Sequence, residues 1–283
     1  MRKDQHPRTR VSRGLAAVAA LVGLILVGLA VWLPWRVLGK PSGGGPKPAS
    51  SSAPADRPLA GKVVVLDPGH NVGNRDHIHQ ITQLVQGSTR LTGCDDTGTS
   101  TNDGYAEAAF TMDVTRRAAE ILSAQGATVK LTHQADRPWG PCVDERARIG
   151  NEARADAVVS IHADGAAAGA RGFHVLLPDV LRKGRADTAP IVAPSRRLGE
   201  LLAAHFARAT AFPPANYVGD RSGLMVRKNL AGLNLSKVPV VFIECGNMRN
   251  AVDARQLEDP SWRGRAAQGI AGGISGFLGG PAR

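Results

Sequence analysis

From residue 61 onward, short apolar runs alternate with longer stretches in which apolar residues return every three or four positions. The first pattern marks buried strands and the second amphipathic helices. Their alternation predicts an α/β domain with helices on both faces of its sheet. Strands are expected at 62–66, 128–132, 157–161, 172–177, 224–226 and 238–244, giving one domain with a roughly six-stranded mixed sheet.

Between the strands, Asp103 can cap a helix that carries Ala106, Phe110, Val114, Ala118, Ile121 and Leu122 on one face and stops at Gly126. Ser195 can cap a second helix through Leu198, Leu201, Leu202 and Phe206, and Ser261 a last one towards Leu278. Residues 143–153 form a shorter candidate. Residues 71–102 show no periodicity, and a 32-residue stretch of that kind in a compact domain is usually functional or disordered. It is expected to form a wall of a cleft.

The first 60 residues follow another pattern. Residues 14–33 are 20 positions without a charge, behind Arg2, Lys3, Arg8, Arg10 and Arg13. This is the positive-inside arrangement of a membrane anchor or an export signal. Trp32 and Trp35 suit a membrane interface and no small-x-small site follows closely, which favours a retained anchor over a cleaved signal and secretion. The next segment, with its runs Gly43-Gly44-Gly45 and Ser50-Ser51-Ser52, lacks the apolar content to fold and reads as a tether. The chain thus divides into a basic cytoplasmic N-terminus (1–13), a transmembrane or signal segment (14–35), a linker (36–60) and a globular domain (61–283) outside the cytoplasm.

The formal charge of +11 changes little once located: +7 of it falls in residues 1–60. The remaining +4 suits an anionic polymer as partner, but no basic helix or stacking aromatic platform supports nucleic-acid binding. A monomer is expected. The three cysteines are too few for a disulfide scaffold and lack the paired spacing of a thiolate zinc site. Cys94 and Cys142 lie in loop-like sequence and can bridge in an oxidising compartment, with free thiols as the alternative. Cys245, which follows Glu244 on a strand, is expected on the buried face.

Three strands end in residues that can bind or work with a metal: His70 after Asp67-Pro68-Gly69, His162 in Ser160-Ile161-His162-Ala163-Asp164, and Glu244 in Ile243-Glu244-Cys245-Gly246. A catalytic zinc takes three ligands from His, Asp or Glu and leaves a position for water, whose pKa it lowers. His70, Glu107 and His162 meet that count, and Glu244 remains as a carboxylate able to move the water proton. A lone strand-end histidine is more often a hydrogen-bonded structural residue, and a strand-end glutamate more often an ion-pair partner. Three such residues at the ends of apolar strands are less easily placed in those roles. His77 and His79 read as solvated, His133 and His205 as structural, and Asp67 and Asp164 as residues that orient ligands or form turns.

The segments Val65-Leu66-Asp67-Pro68-Gly69-His70, Glu107, Ser160-Ile161-His162-Ala163-Asp164 and Ile243-Glu244-Cys245-Gly246-Asn247-Met248-Arg249-Asn250 resemble the successive signatures of the zinc-dependent N-acetylmuramoyl-L-alanine amidases, the amidase-3 family. Arg146, Asn151 and Ala155-Asp156 match the run that precedes the histidine segment. The resemblance covers residues 61–278. It implies a fold like the zinc exopeptidases, Zn2+ on His70, Glu107 and His162, and Glu244 as the catalytic glutamate. The implied reaction cleaves the amide between the lactyl group of N-acetylmuramic acid and the L-alanine of the peptidoglycan stem peptide, in the bacterial cell envelope.

Asn71 stands where the family usually has Gly, Asn247 where Phe is common, and the segment before Glu107 is longer than in compact members. These departures touch the shape of the cleft and leave the ligands in place. Arg221, Asn234 and His174 are candidates for substrate contact, His174 because its strand should lie beside that of His162. Residues 180–193 are irregular enough to hold a short flap. A zinc carboxypeptidase acting on stem peptides and a non-catalytic peptidoglycan-binding module of the same fold are the competing readings.

Overall fold

The computed structural model describes residues 57–279. The N-terminal basic segment, the anchor or signal segment and nearly all of the linker lie outside the described residues. In chain order the domain holds β1 (Val63–Pro68), α1 (Ile78–Ile81), β2 (Leu84–Gln86), β3 (Leu91–Gly93), α2 (Glu107–Ala124), β4 (Thr128–Leu131), α3 (Val143–Glu152), β5 (Ala157–Asp164), β6 (His174–Pro178), β7 (Arg182–Lys183), β8 (Ala186–Asp187), α4 (Ala189–Thr210), β9 (Leu224–Arg227), α5 (Ala231–Asn234), β10 (Val240–Asn247), α6 (Ala251–Glu258) and α7 (Pro260–Leu278).

Six strands form one mixed sheet in the order β4-β1-β5-β10-β6-β9. The pairs from β4 to β10 are parallel, β10 and β6 run antiparallel, and β6 and β9 are parallel. The period of two along each strand sorts side chains onto two unequal faces. Val64, Leu66, Val159, Ile161, Val241 and Ile243 point into the larger core with Phe110, Leu202, Phe206 and Trp262 of α2, α4 and α7. Val65, Val158 and Val240 face the smaller core, with Ile149 of α3 and Leu233 of α5. The runs are apolar because both faces are covered, the second by the short helices α3 and α5 and by Ile191 at the start of α4.

The helices differ from their expected starts. The first begins at Glu107 rather than at an Asp103 cap, and its cap position, Ala106, makes no side-chain bond. α4 begins six residues before Ser195, with a proline in its first turn and Pro194 inside. Ser195 is buried within it, where its Oγ accepts the N–H of Val240 at 3.0 Å. The cap of α7 is Asp259, which accepts from Ser261 N, so Ser261 is capped and does not cap. Residues 71–102 are ordered: a 3-10 helix (Val72–Asp76) and α1 lead into the β2-β3 hairpin. The irregular 180–193 region holds the β7-β8 hairpin and the start of α4.

Candidate active site

Asp67 at the end of β1, Ser160 and His162 of β5, and Phe242 and Glu244 of β10 occupy alternate positions that share the less covered face. Register then sets neighbours. Glu244 pairs with His162 on one side and with His174 on the other. The β5-β10 register shifts between Glu244 and Asn247, the kind of irregularity that re-aims a side chain at a sheet's end.

His70 follows β1 through Gly69 and has φ 60°, in the left-handed region that non-glycine residues seldom occupy. Gly69 N bonds to Ile161 O, Thr111 Oγ1 donates to Gly69 O, and Arg146 Nη2 donates to His70 O, which together hold this turn. Gly69 lets it pass beside His162, since a Cβ there would lie 2.3 Å from His162 Cε1.

Glu107, the first residue of α2, sends its carboxylate between the two imidazoles. Its Oε1 lies 2.9 Å from His162 Nδ1 and 3.3 Å from His70 Nε2. Backbone N–H groups of Ala163 and Thr99 donate to Oε1 and Oε2. Burial opposes ionisation of Glu107, but the charge of His70 and the bonds from both histidines hold its pKa well below the usual range. One donor atom from each of His70, Glu107 and His162 falls within 4.8 Å of the others. Two imidazoles and a carboxylate so clustered match the donor set of hydrolytic zinc sites.

The remaining imidazole nitrogens face away from this cluster. His162 Nε2 lies 3.1 Å from Ser160 Oγ, which in turn donates to Asp67 Oδ2 at 2.6 Å. The ring of His162 stacks on Phe242, with 5.5 Å between centroids. His70 Nδ1 lies between Asp95 and Asp96. Buried Arg146 ties these groups together, donating to Asp67 Oδ1 at 2.7 Å, Asp95 Oδ2 at 2.9 Å and the carbonyls of Pro68 and Pro141. Asp67 is therefore held ionised: burial raises its pKa, and Arg146, Ser160 and Thr132 more than offset that.

Glu244 is not drawn into this network. Its Oε2 is buried with no hydrogen-bond partner. Burial pushes its pKa up to about 8, opposed by His162 and aided by Glu107 and Asp164. An unpaired buried carboxylate oxygen beside a cluster of metal donors is costly unless a cation or a substrate group meets it, so the four residues fit a divalent metal and its water.

Of the other sequence candidates, His174 is the register neighbour of Glu244, and Asn234 and Arg221 lie on other elements. His174 is buried with its ring edge-on to Tyr217, and its pKa is lowered to about 4 by burial. Tyr217 donates to Asp164 Oδ2 at 2.9 Å. Asn234 is buried and donates to Lys228 O, and Arg221 lies exposed on a loop. None of these three candidates lines the cavity of about 350 Å³ that opens beside His70 and His162. That cavity has Asp95, Asp96 and Arg146 at its polar side and Val143, Val158 and Phe242 at its apolar side. Cys94 and Cys142 form a disulfide, and Cys245 is a buried free thiol.

Asn71 and Asn247, the departures from the family pattern, both pin loops. Asn71 accepts from Gly73 N and donates to Gly140 O, and Asn247 donates to the carbonyls of Ala167 and Ala170. The role of Asp95 escaped the sequence reading because nothing in the spacing links a loop aspartate to a histidine 25 residues earlier.

Comparison with known proteins agrees with this geometry. The family described as N-acetylmuramoyl-L-alanine amidase matches residues 64–276. N-acetylmuramoyl-L-alanine amidase Rv3717 of Mycobacterium tuberculosis is 39% identical over 232 residues, covering 81% of this chain and 91% of its own. The crystal structure of the N-acetylmuramyl-L-alanine amidase Ami1 from Mycobacterium smegmatis is 41% identical, with a TM-score of 0.71 over 78% of this chain and 98% of that one. The apo form of Ami1 from Mycobacterium abscessus is 38% identical, with a TM-score of 0.70 over 78% of this chain and all of its own. With motifs, sheet order and these likenesses in agreement, the chain belongs to the N-acetylmuramoyl-L-alanine amidase family.

Proposed function

We propose that His70, Glu107 and His162 hold a zinc ion and that Glu244 moves the protons of the amidase reaction. The enzyme is a hydrolase of the bond between N-acetylmuramic acid and L-alanine in peptidoglycan. The observation that carries the assignment of roles is the unpartnered Oε2 of Glu244, in register beside His162. When bound, zinc supplies positive charge that polarises water and the scissile carbonyl and favours the ionised form of Glu244.

Glu244 then accepts a proton from the water that adds to the lactyl carbonyl and returns it to the departing nitrogen of L-alanine. The C–N bond breaks, leaving a carboxylic acid on the lactyl group and a free amine on the stem peptide. Glu107 stays ionised beside the two imidazoles, with the N–H groups of Thr99 and Ala163 fixing its oxygens, and Ser160 and Asp67 hold the His162 ring. Phe242 stacks against one face of that imidazole.

Mass spectrometry of digested muropeptides tests the reaction. Free glycan with an intact stem supports the amidase; loss of one terminal residue from the stem supports the carboxypeptidase and overturns it. A parent protein that binds peptidoglycan without cleaving it supports the binding module instead.

The family's substrate supports a location outside the cytoplasm, and residues 14–35 carry the composition of a membrane anchor. An anchored monomer would act on nearby wall layers. Full-length protein that leaves the membrane fraction in a salt wash would contradict the anchor.

A further inference from the structure

Asp95 stands outside the four residues assigned to chemistry, yet it touches one of them. Its Oδ1 lies 3.2 Å from His70 Nδ1, and its Oδ2 accepts from Arg146 Nη2 at 2.9 Å. Asp96 lies as near, with Oδ1 3.0 Å from the same nitrogen, but its side chain is 79% exposed against 6% for Asp95. Asp96 Oδ1 also accepts from Gly98 N at 2.8 Å, but an exposed carboxylate competes with water for its partner. A buried one already fixed by a guanidinium keeps its geometry.

The two nitrogens of His70 are thereby given different tasks. Nε2 faces Glu107 Oε1 at 3.3 Å, while Nδ1 faces Asp95. An imidazole that donates its Nδ1 proton to a carboxylate is fixed in the tautomer whose Nε2 lone pair is free to bind a metal.

Asp95 is itself held from the side. Its neighbour Cys94 is bonded to Cys142, the residue just before α3, and Cys94 O accepts from Val143 N at 2.7 Å. One turn into α3 sits Arg146, whose N–H donates to Cys142 O at 2.9 Å. The disulfide therefore joins the loop that carries Asp95 to the helix that carries Arg146. These two side chains grip His70 at its ring and at its carbonyl.

We propose that Asp95 is a positioning residue for His70, and that the Cys94–Cys142 disulfide keeps it in place, so that metal affinity depends on the disulfide. This rests on the zinc reading of the site.

The test measures Zn2+ affinity of the full oxidised chain by competition with a chromophoric chelator. Asp95→Ala is expected to weaken binding by about 10- to 100-fold. Asp96→Ala should stay within about threefold of the parent. Asp95→Asn, which keeps an acceptor oxygen in nearly the same shape, should fold and lose less than Asp95→Ala. In the metal-free protein, a slowly exchanging His70 imidazole N–H seen by nitrogen-15 NMR should vanish in Asp95→Ala while the His162 signal stays, which a merely structural role would not produce. Cys94→Ser with Cys142→Ser should weaken zinc binding and add little on top of Asp95→Ala.

Zinc binding by Asp95→Ala as tight as the parent, or an equal loss in Asp96→Ala, overturns the role of Asp95. Parent-like affinity in the double serine variant overturns the role of the disulfide. His70→Ala separates the two levels of inference. If it binds zinc like the parent, the zinc reading itself fails. If it loses zinc while Asp95→Ala does not, only the positioning role fails.

Discussion

Glu244 and His162 face the same side of the sheet as register partners in adjacent parallel strands, yet only His162 is hydrogen-bonded. His162 is held against Glu107 and Glu244 is left unpaired, which is the division of labour the proposed zinc hydrolysis needs from two neighbouring side chains.

Replacing Glu244 should therefore separate binding from chemistry. Glu244→Gln is expected to bind one equivalent of zinc like the parent and to lower kcat by about 10²- to 10⁴-fold, the usual worth of a positioned acid–base group. Elemental analysis and muropeptide turnover on the same preparation check both halves. A variant that cleaves as fast as the parent would remove Glu244 from the mechanism.

Metal removal gives the complementary result. Chelator-treated parent should lose hydrolysis and regain it on adding zinc, whereas His162→Ala should regain little at the same zinc concentration. Activity that persists in chelated protein, with zinc absent by elemental analysis, would contradict the site.

Gly98 has φ +70° and lies against two of the proposed zinc ligands: a Cβ there would stand 2.8 Å from His70 Cδ2 and 2.9 Å from Glu107 Oε2. Gly98→Ala must shift one of them. Misplacement by about 1 Å at a reacting centre costs roughly 10²-fold in rate. Activity should fall by that order, and the thermal midpoint should drop by only about 2–4 °C per kcal/mol of the backbone strain that alanine takes on at positive φ.

Arg146 neutralises two buried carboxylates, Asp67 and Asp95. Arg146→Met leaves both without their partner, and breaking a buried pair in this way costs about 3–5 kcal/mol. Urea unfolding should show a loss of that size, much larger than for Arg148→Met, whose own side chain is exposed where it pairs with Glu145 and Glu152.

Acid should weaken the same network. Asp67 has a folded pKa below its ordinary value, so the unfolded chain takes up the proton first as pH falls. The stability it contributes is present above about pH 4 and is lost as pH falls through the folded value. Urea midpoints measured across this range should fall more steeply for the parent than for Asp67→Asn. Equal slopes would show that Asp67 is not a source of the acid sensitivity.

Much of the frame is determined by local sequence. Short β-branched runs such as Val63-Val64-Val65-Leu66 and Val240-Val241-Phe242-Ile243 read as strands covered on both faces, and the ordered motifs, through their resemblance to the family, singled out His70, Glu107, His162 and Glu244 as site candidates. Helix starts were less legible. Ser195 and Ser261 look like caps locally, but tertiary packing extends α4 by six residues and gives the cap of α7 to Asp259. The sheet order, which sets Glu244 between His162 and His174, and the closure of Asp95 and Arg146 around His70 were decided only in three dimensions. Periodicity records which face of an element is buried. Partners brought together across 25 or 76 residues leave no periodic trace in the chain, because their meeting depends on how the faces pack.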